Sequence, residues 1–192
     1  MIKDVLIFLK SQLNEFLNTR SGWSAGESGE DEDALLDGEK TNPITFKSGA
    51  VTALLINLEE ENTMRPAEPY RRGLMDGGIL SVRPEIRLNL YVLFVARFKQ
   101  YEQGLQALSL IIRYFQNYRV LDHENAPALP DHIDRLVVEL VTLPFSEQNE
   151  IWNSLRTTYH PSLLYKVSLV VFRDEEGLAL PKVTEPILRT VQ

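Results

Sequence analysis

Of the residue types that carry acid–base or nucleophilic chemistry, this 192-residue chain has three histidines and no cysteine. Without cysteine there is no disulfide and no thiolate metal site. His123, His132 and His160 fall in or beside loops and have no second ligand at helical spacing, so a zinc centre is not expected. His160-Pro161-Ser162 sets a potential base near a hydroxyl, but no glycine-flanked nucleophile turn surrounds Ser162. Gly77-Gly78 follows Asp76 without the Lys-Ser or Lys-Thr that completes a phosphate-binding loop. Glu59, Glu60 and Glu61 supply neighbouring carboxylates, which a strand end running into solvent explains without catalysis. No cofactor is expected from any of these groups.

The elements that would position such groups are easier to read. From Ile86 to Phe98 the residues Ile86, Leu88, Leu90, Val92, Phe94, Ala96 and Phe98 form one wholly apolar face, and the opposite face is apolar only in its middle. This predicts a central strand, covered on one side and partly on the other. The period then changes to three and four, with Tyr101, Leu105, Leu108, Ile111, Ile112 and Phe115 as the apolar stripe of a helix packed back on the sheet. The aromatic set Tyr91, Phe94, Phe98, Tyr101, Tyr114, Phe115 and Tyr118 is accordingly read as core.

Before this strand, Ile2 to Leu17 carries a helical stripe of Ile2, Val5, Leu6, Leu9, Leu13, Phe16 and Leu17. Its polar face holds as many acids as bases, which favours packing on a core over lying on a lipid surface. Ile44 to Phe46 is a candidate short strand and Val51 to Glu61 a long one. After the helix, Leu121 to Asp134 is a proline-containing connection, Arg135 to Leu143 a strand, and Phe145-Ser146 the start of a short helix with Ser146 as N-cap. Leu163 to Arg173 is the last core strand. The order predicts an α+β fold: a mixed or largely antiparallel sheet of about four to five strands, with the N-terminal helix and two further helices packed on it. Residues 1–173 are taken as one domain and 174–192 as a C-terminal arm.

Two loops stand out. Residues 21–41 hold four glycines and the acids Glu27, Glu30, Asp31, Glu32, Asp33, Asp37 and Glu39, without the ligand spacing of a calcium loop, and are read as flexible solvated charge. Trp23 in that loop pins it to the body or to a partner. Residues 62–85 combine Pro66, Pro69 and Pro84 with Arg65, Arg71, Arg72 and Arg83, and a loop of this length is usually functional or disordered. These arginines are either solvated or a docking surface.

The net charge of −7 argues against a general nucleic-acid binder. No apolar run reaches the roughly 18 residues of a membrane span and no secretory leader is seen, so no membrane partner and a cytoplasmic start are expected.

Several blocks together carry a resemblance. Leu13-Asn14-Glu15-Phe16-Leu17, Asn57-Leu58-Glu59-Glu60-Glu61, Leu88 to Phe94, the helix Gly104 to Gln116, Glu147 to Trp152, and Tyr159 to Val167 resemble, in order, the cap or tail-terminator family of phage-tail-like contractile injection systems. The resemblance implies a structural protein rather than an enzyme. It would form a hexameric ring at the end of the tail distal to the baseplate, ending polymerisation of the inner tube and sheath. The partners implied are further copies of the chain, the tube protein and the sheath protein, in a particle that is released or stays in the cell.

The composition suggests where contacts lie. Arg65, Arg71, Arg72 and Arg83 would meet acidic surface on a neighbouring subunit or the tube. Lys182, Val183, Ile187, Leu188 and Val191 would add as an extended segment to a sheath edge or a neighbouring subunit. Two rivals remain: a small binding module or enzyme whose site is built from sequence-distant groups such as His160 and Glu59, and an adaptor at the baseplate side of the tail.

Overall fold

The computed structural model describes residues 1–21, 46–61, 71–73, 79–81, 86–172 and 178–179. In chain order the elements are α1 (Ile2–Ser21), β1 (Ala50–Glu60), β2 (Arg71–Gly73), β3 (Ile79–Ser81), β4 (Ile86–Arg97), α2 (Tyr101–Asn117), β5 (Val120–Asp122), β6 (Arg135–Val141), α3 (Phe145–Ser154), β7 (Ser162–Phe172) and β8 (Leu178–Ala179). The chain divides into two compact units, Met1–Glu59 with Leu88–Val170, and Glu60–Arg87 with Val171–Gln192.

The larger unit is built on a five-stranded antiparallel sheet in the order β1-β4-β7-β6-β5. The central strand is β4, as its two-sided apolar pattern requires: Val92, Leu93, Phe94, Val95 and Ala96 are all buried. Its far end is held to β7 by the Ala96 amide donating to the Pro161 carbonyl at 2.9 Å. The β6–β7 ladder sets Glu139 opposite Lys166 and Leu140 opposite Tyr165.

Helices cover both faces. On one, Phe94 of β4 and Tyr165 of β7 meet Phe115 of α2 at 5.9 and 4.7 Å between ring centres. Alongside, Tyr114 of α2 meets Phe16 of α1 at 5.1 Å and its hydroxyl donates to Gln12 Oε1 at 3.2 Å. The opposite face carries a second core of Phe46, Leu54, Leu93, Val95, Leu164 and Trp152, the last from α3. The sequence-derived α+β architecture is therefore the observed one: three helices on a five-stranded antiparallel sheet. The start of α2 packs against the end of β4 at Gly104, where a Cβ would make ordinary contacts of 3.4 Å with Phe98 and 3.6 Å with Ala96.

The smaller unit contains an antiparallel three-stranded sheet in the order β2-β3-β8. Arg71 and Arg72 lie in β2, opposite Ser81 and Leu80 of β3.

Local expectations needed correction in three places. The connection from Leu121 contains β5, whose three residues are too few to show a period, and Leu121 is fully buried opposite Leu136. Beyond β5 an Asx turn takes over: Asp122 Oδ1 accepts the amides of Glu124 and Asn125 at 3.0 and 3.1 Å. Ser146 is not an N-cap. Pro144 holds that position and Ser146 lies inside the first turn of α3. Finally, the apolar stripe of α2 is wider than its buried face: Leu108, Ile111 and Phe115 are buried, whereas Tyr101, Leu105 and Ile112 are exposed. Of the expected strand at Ile44 to Phe46, the first two residues lie outside the described residues, and Phe46 is a buried residue ahead of β1.

Candidate interaction surfaces

The groups singled out for chemistry do not converge. His132 Nε2 lies 3.3 Å from Asp4 Oδ2 at the start of α1, and the same carboxylate takes the Met1 amine at 2.6 Å. Hydrogen bonding to that amine, then its charge and that of His132, hold the Asp4 carboxyl below the usual carboxylate range. His160 packs edge-on against Phe46 and Trp152, with ring centres 5.7 and 6.1 Å away. Burial, and then the Arg97 charge, push its pKa down.

Two hollows bear on these residues. One, of about 350 Å³, is lined by Ser48, Arg97, Lys99, Tyr101 and His160 at the end of β4. The other, of about 230 Å³, lies beside α3 and is lined by Leu93, Val141, Ile151, Trp152 and Ser162. His160 and Ser162 thus line different hollows. Among the described residues no group of three or more histidines and acids is arranged to hold a metal ion.

Glu59, instead of ending free in solvent, is the first member of a polar row across the sheet. The Tyr91 hydroxyl donates to Glu59 Oε2 at 2.7 Å, and Lys166 Nζ lies 3.7 Å from the same oxygen and 6.0 Å above the Tyr91 ring. Lys166 is paired in register with Glu139, and Glu139 forms an ion pair with Arg119, just ahead of β5. The row contributes one residue from each of β1, β4, β7 and β6. Its members are partly exposed, so each pair stabilises by no more than about 1 kcal/mol. What it does achieve is to fix side chains on a face that α3 leaves open.

Surface suited to contact lies elsewhere. Tyr101, Leu105 and Ile112 fall within a narrow flank of α2, and Phe145 at the start of α3 is 89% exposed. The flank of α2 turned to α1 is marked by Tyr114, so Tyr101, Leu105 and Ile112 lie on its other side. Tyr101, at the start of that flank, shares a hollow with Ser48, which leads into β1.

That strand is the sheet's outer edge, 11 residues long, and no other strand among the described residues pairs with its outer side. Sequence reading found β1 but not its place at the edge, because pairing order is not written in a strand's own alternation. Of the arginines proposed for docking, Arg71 and Arg72 are in β2, while Arg65 and Arg83 lie outside the described residues, as do Lys182, Val183, Ile187, Leu188 and Val191.

Residues 4–185 match the family model of the Pvc16 N-terminal domain. The chain belongs to that family. The match spans every block on which the sequence resemblance to tail terminators rests, and the resemblance is borne out. A solved chain described as the sheath/tube terminator of PVC, an extracellular contractile injection system, in its extended state is similar with a TM-score of 0.47 and 18% identity, over 73% of this chain and 50% of that one. The chain thus spans about half the length of that protein. No curated protein matches.

Proposed function

We propose that the protein is the terminator of a contractile injection system: a non-enzymatic subunit that assembles as a hexameric ring at the baseplate-distal end of the tail and ends growth of tube and sheath. The observation that carries this reading is the family match across residues 4–185.

The physical logic is that of a heterologous ring. Each subunit presents two different surfaces around the ring, and the ring presents two different faces along the tail. One face fits the last tube and sheath layer and the other does not reproduce it, so stacking stops. The ring partners are copies of the chain, and the axial partners are the tube and sheath proteins. Within this reading Arg65, Arg71, Arg72 and Arg83 meet acidic surface on the tube or a neighbouring subunit. Assembly takes place in the cytoplasm, and the finished particle is released or retained.

The test is the solution mass of the purified chain, followed by negative-stain imaging with tail tubes. A species of about six times 22.0 kDa that sits as a ring at the baseplate-distal tube end is expected. A chain that stays monomeric with tubes present, or that binds the baseplate end, refutes it.

A further inference from the structure

We infer that the outer edge of β1, together with the exposed flank of α2, is a docking site for an extended strand, and that the strand is the C-terminal arm of a second copy, Lys182 to Val191. The inference rests on the ring reading and names the contact that would join its subunits.

The site is a backbone feature with a side-chain border. An edge strand presents unpaired amides and carbonyls along its length, and soluble proteins usually blunt such an edge. Among the described residues, the blunting of β1 is confined to its ends. Gly49, at φ 82°, donates its amide to the Arg97 carbonyl at 2.6 Å and bends the chain as it enters the strand. Glu59 and Glu60 close the other end as exposed carboxylates. Between them, Val51-Thr52-Ala53-Leu54-Leu55-Ile56 has no charge and no proline, and five of its six residues are only partly buried. Tyr101 of α2, with Leu105 and Ile112 on the same exposed flank of the helix, adds apolar surface near the entry to the strand. A strand laid there would complete main-chain pairing and cover this surface, as in β-strand addition.

The arm fits this site in one direction. Its apolar residues Ile187, Leu188 and Val191 lie in the second half, and Lys182 stands at its beginning. β1 is arranged the other way, apolar first and acidic last. Antiparallel pairing therefore brings Lys182 to Glu59 and Glu60, and Ile187 to Val191 to the apolar half, leaving Glu185 near the uncharged Asn57 and Leu58. Val183, Glu185, Ile187, Arg189 and Val191 alternate with Pro186. If these five residues make the pairing, the missing amide of Pro186 faces solvent, where an added edge strand tolerates proline. The length also matches, ten residues of arm against the 11 of β1.

The absence of cysteine makes the test clean. Full-length Thr52→Cys and full-length Thr190→Cys are mixed, and a short bismaleimide is added. A cross-linked dimer of the two variants is expected, at least about tenfold above either variant alone. In parallel, hydrogen exchange of the alternate β1 amides that point away from β4 should slow at least about tenfold in the assembled chain, and Pro186→Lys with Ile187→Asp should abolish both signals. An oligomer with no cross-link and fast exchange overturns the docking site and leaves the ring reading standing. Cross-linking only within a chain carrying both cysteines overturns the second copy as the occupant. A monomer with neither signal overturns both readings.

Discussion

Adjacent isoleucines on α2 allow the helix orientation to be tested by a single kind of change. Ile111 is fully buried, whereas Ile112 is 39% exposed, so the same truncation to alanine removes three carbons from two different environments. At about 0.8 kcal/mol per buried carbon, Ile111→Ala loses roughly 2.4 kcal/mol of transfer free energy. The cavity left between helix and sheet raises this toward about 4 kcal/mol. Ile112→Ala opens no closed cavity and loses roughly half the transfer term, from which alanine's better helix propensity recovers a few tenths, leaving about 1 kcal/mol or less. Urea unfolding followed by circular dichroism reads both values, with an unchanged slope confirming a common denatured state. Equal losses, or a larger loss at Ile112, would refute the packing of α2 described above. Ile112→Glu extends the test to assembly: it should keep the midpoint within about 1 kcal/mol of the parent and lower the fraction of oligomer.

Two other predictions come from the backbone and from buried phenols. Gly49→Ala forces a side chain to φ 82° although nothing stands within 4 Å, so it should cost about 1 kcal/mol through backbone strain alone, with Gly49→Asn costing less in the same urea assay. Burial pushes Tyr165 up to about 12, and burial, aided by Tyr118 and Glu15, does the same for Tyr114. A phenol with a raised folded pKa contributes stability that is whole below the unfolded value near 10 and is lost as pH climbs toward 12. Ultraviolet titration should therefore show Tyr114 and Tyr165 ionising late, and Tyr165→Phe should flatten the fall in stability between pH 10 and 12.

What could be read from the chain, and what could not, follows from where each signal resides. β4 announced itself because Ile86, Leu88, Leu90, Val92, Phe94 and Ala96 alternate along it while Leu93 and Val95 extend the apolar surface to its other face, and α2 because its stripe changes period at Tyr101. α3 was placed correctly by Ile151 and Trp152, although Pro144 and not Ser146 caps it. β5 was missed because three residues show no periodicity, and what fixes it is pairing with β6, a contact more than a dozen residues away. The same limit hid the surface features. Tyr101, Leu105 and Ile112 have the residue types of a core stripe, and only the position of α1 decides which side of α2 is covered. Glu59 looked like a strand end entering water because its partners Tyr91 and Lys166 stand on two other strands.

If the chain assembles as the ring proposed above, the distribution of charge along β1 gives a reason for a ring over a closed dimer. Two copies pairing edge to edge about a two-fold axis would run antiparallel, setting Glu59 and Glu60 of each against the apolar start of the other. The carboxylates of Glu59, each 3.7 Å from its own Lys166, and those of Glu60 would then lose water against apolar residues, which disfavours the isologous contact. A parallel pair would be worse, since it places the acids of one strand directly opposite those of the other. A foreign strand that begins with a lysine and ends with aliphatic residues suffers neither cost. In the proposed docking the acidic end of β1 would act less as a shield for the edge than as a selector for the direction and type of strand it accepts. A selector of that kind would make successive subunits join head to tail, which is the geometry the proposed ring needs. Glu59→Lys with Glu60→Lys should accordingly weaken the ring and permit two-fold dimers, and sedimentation that shows an undiminished ring would refute this role for the carboxylates.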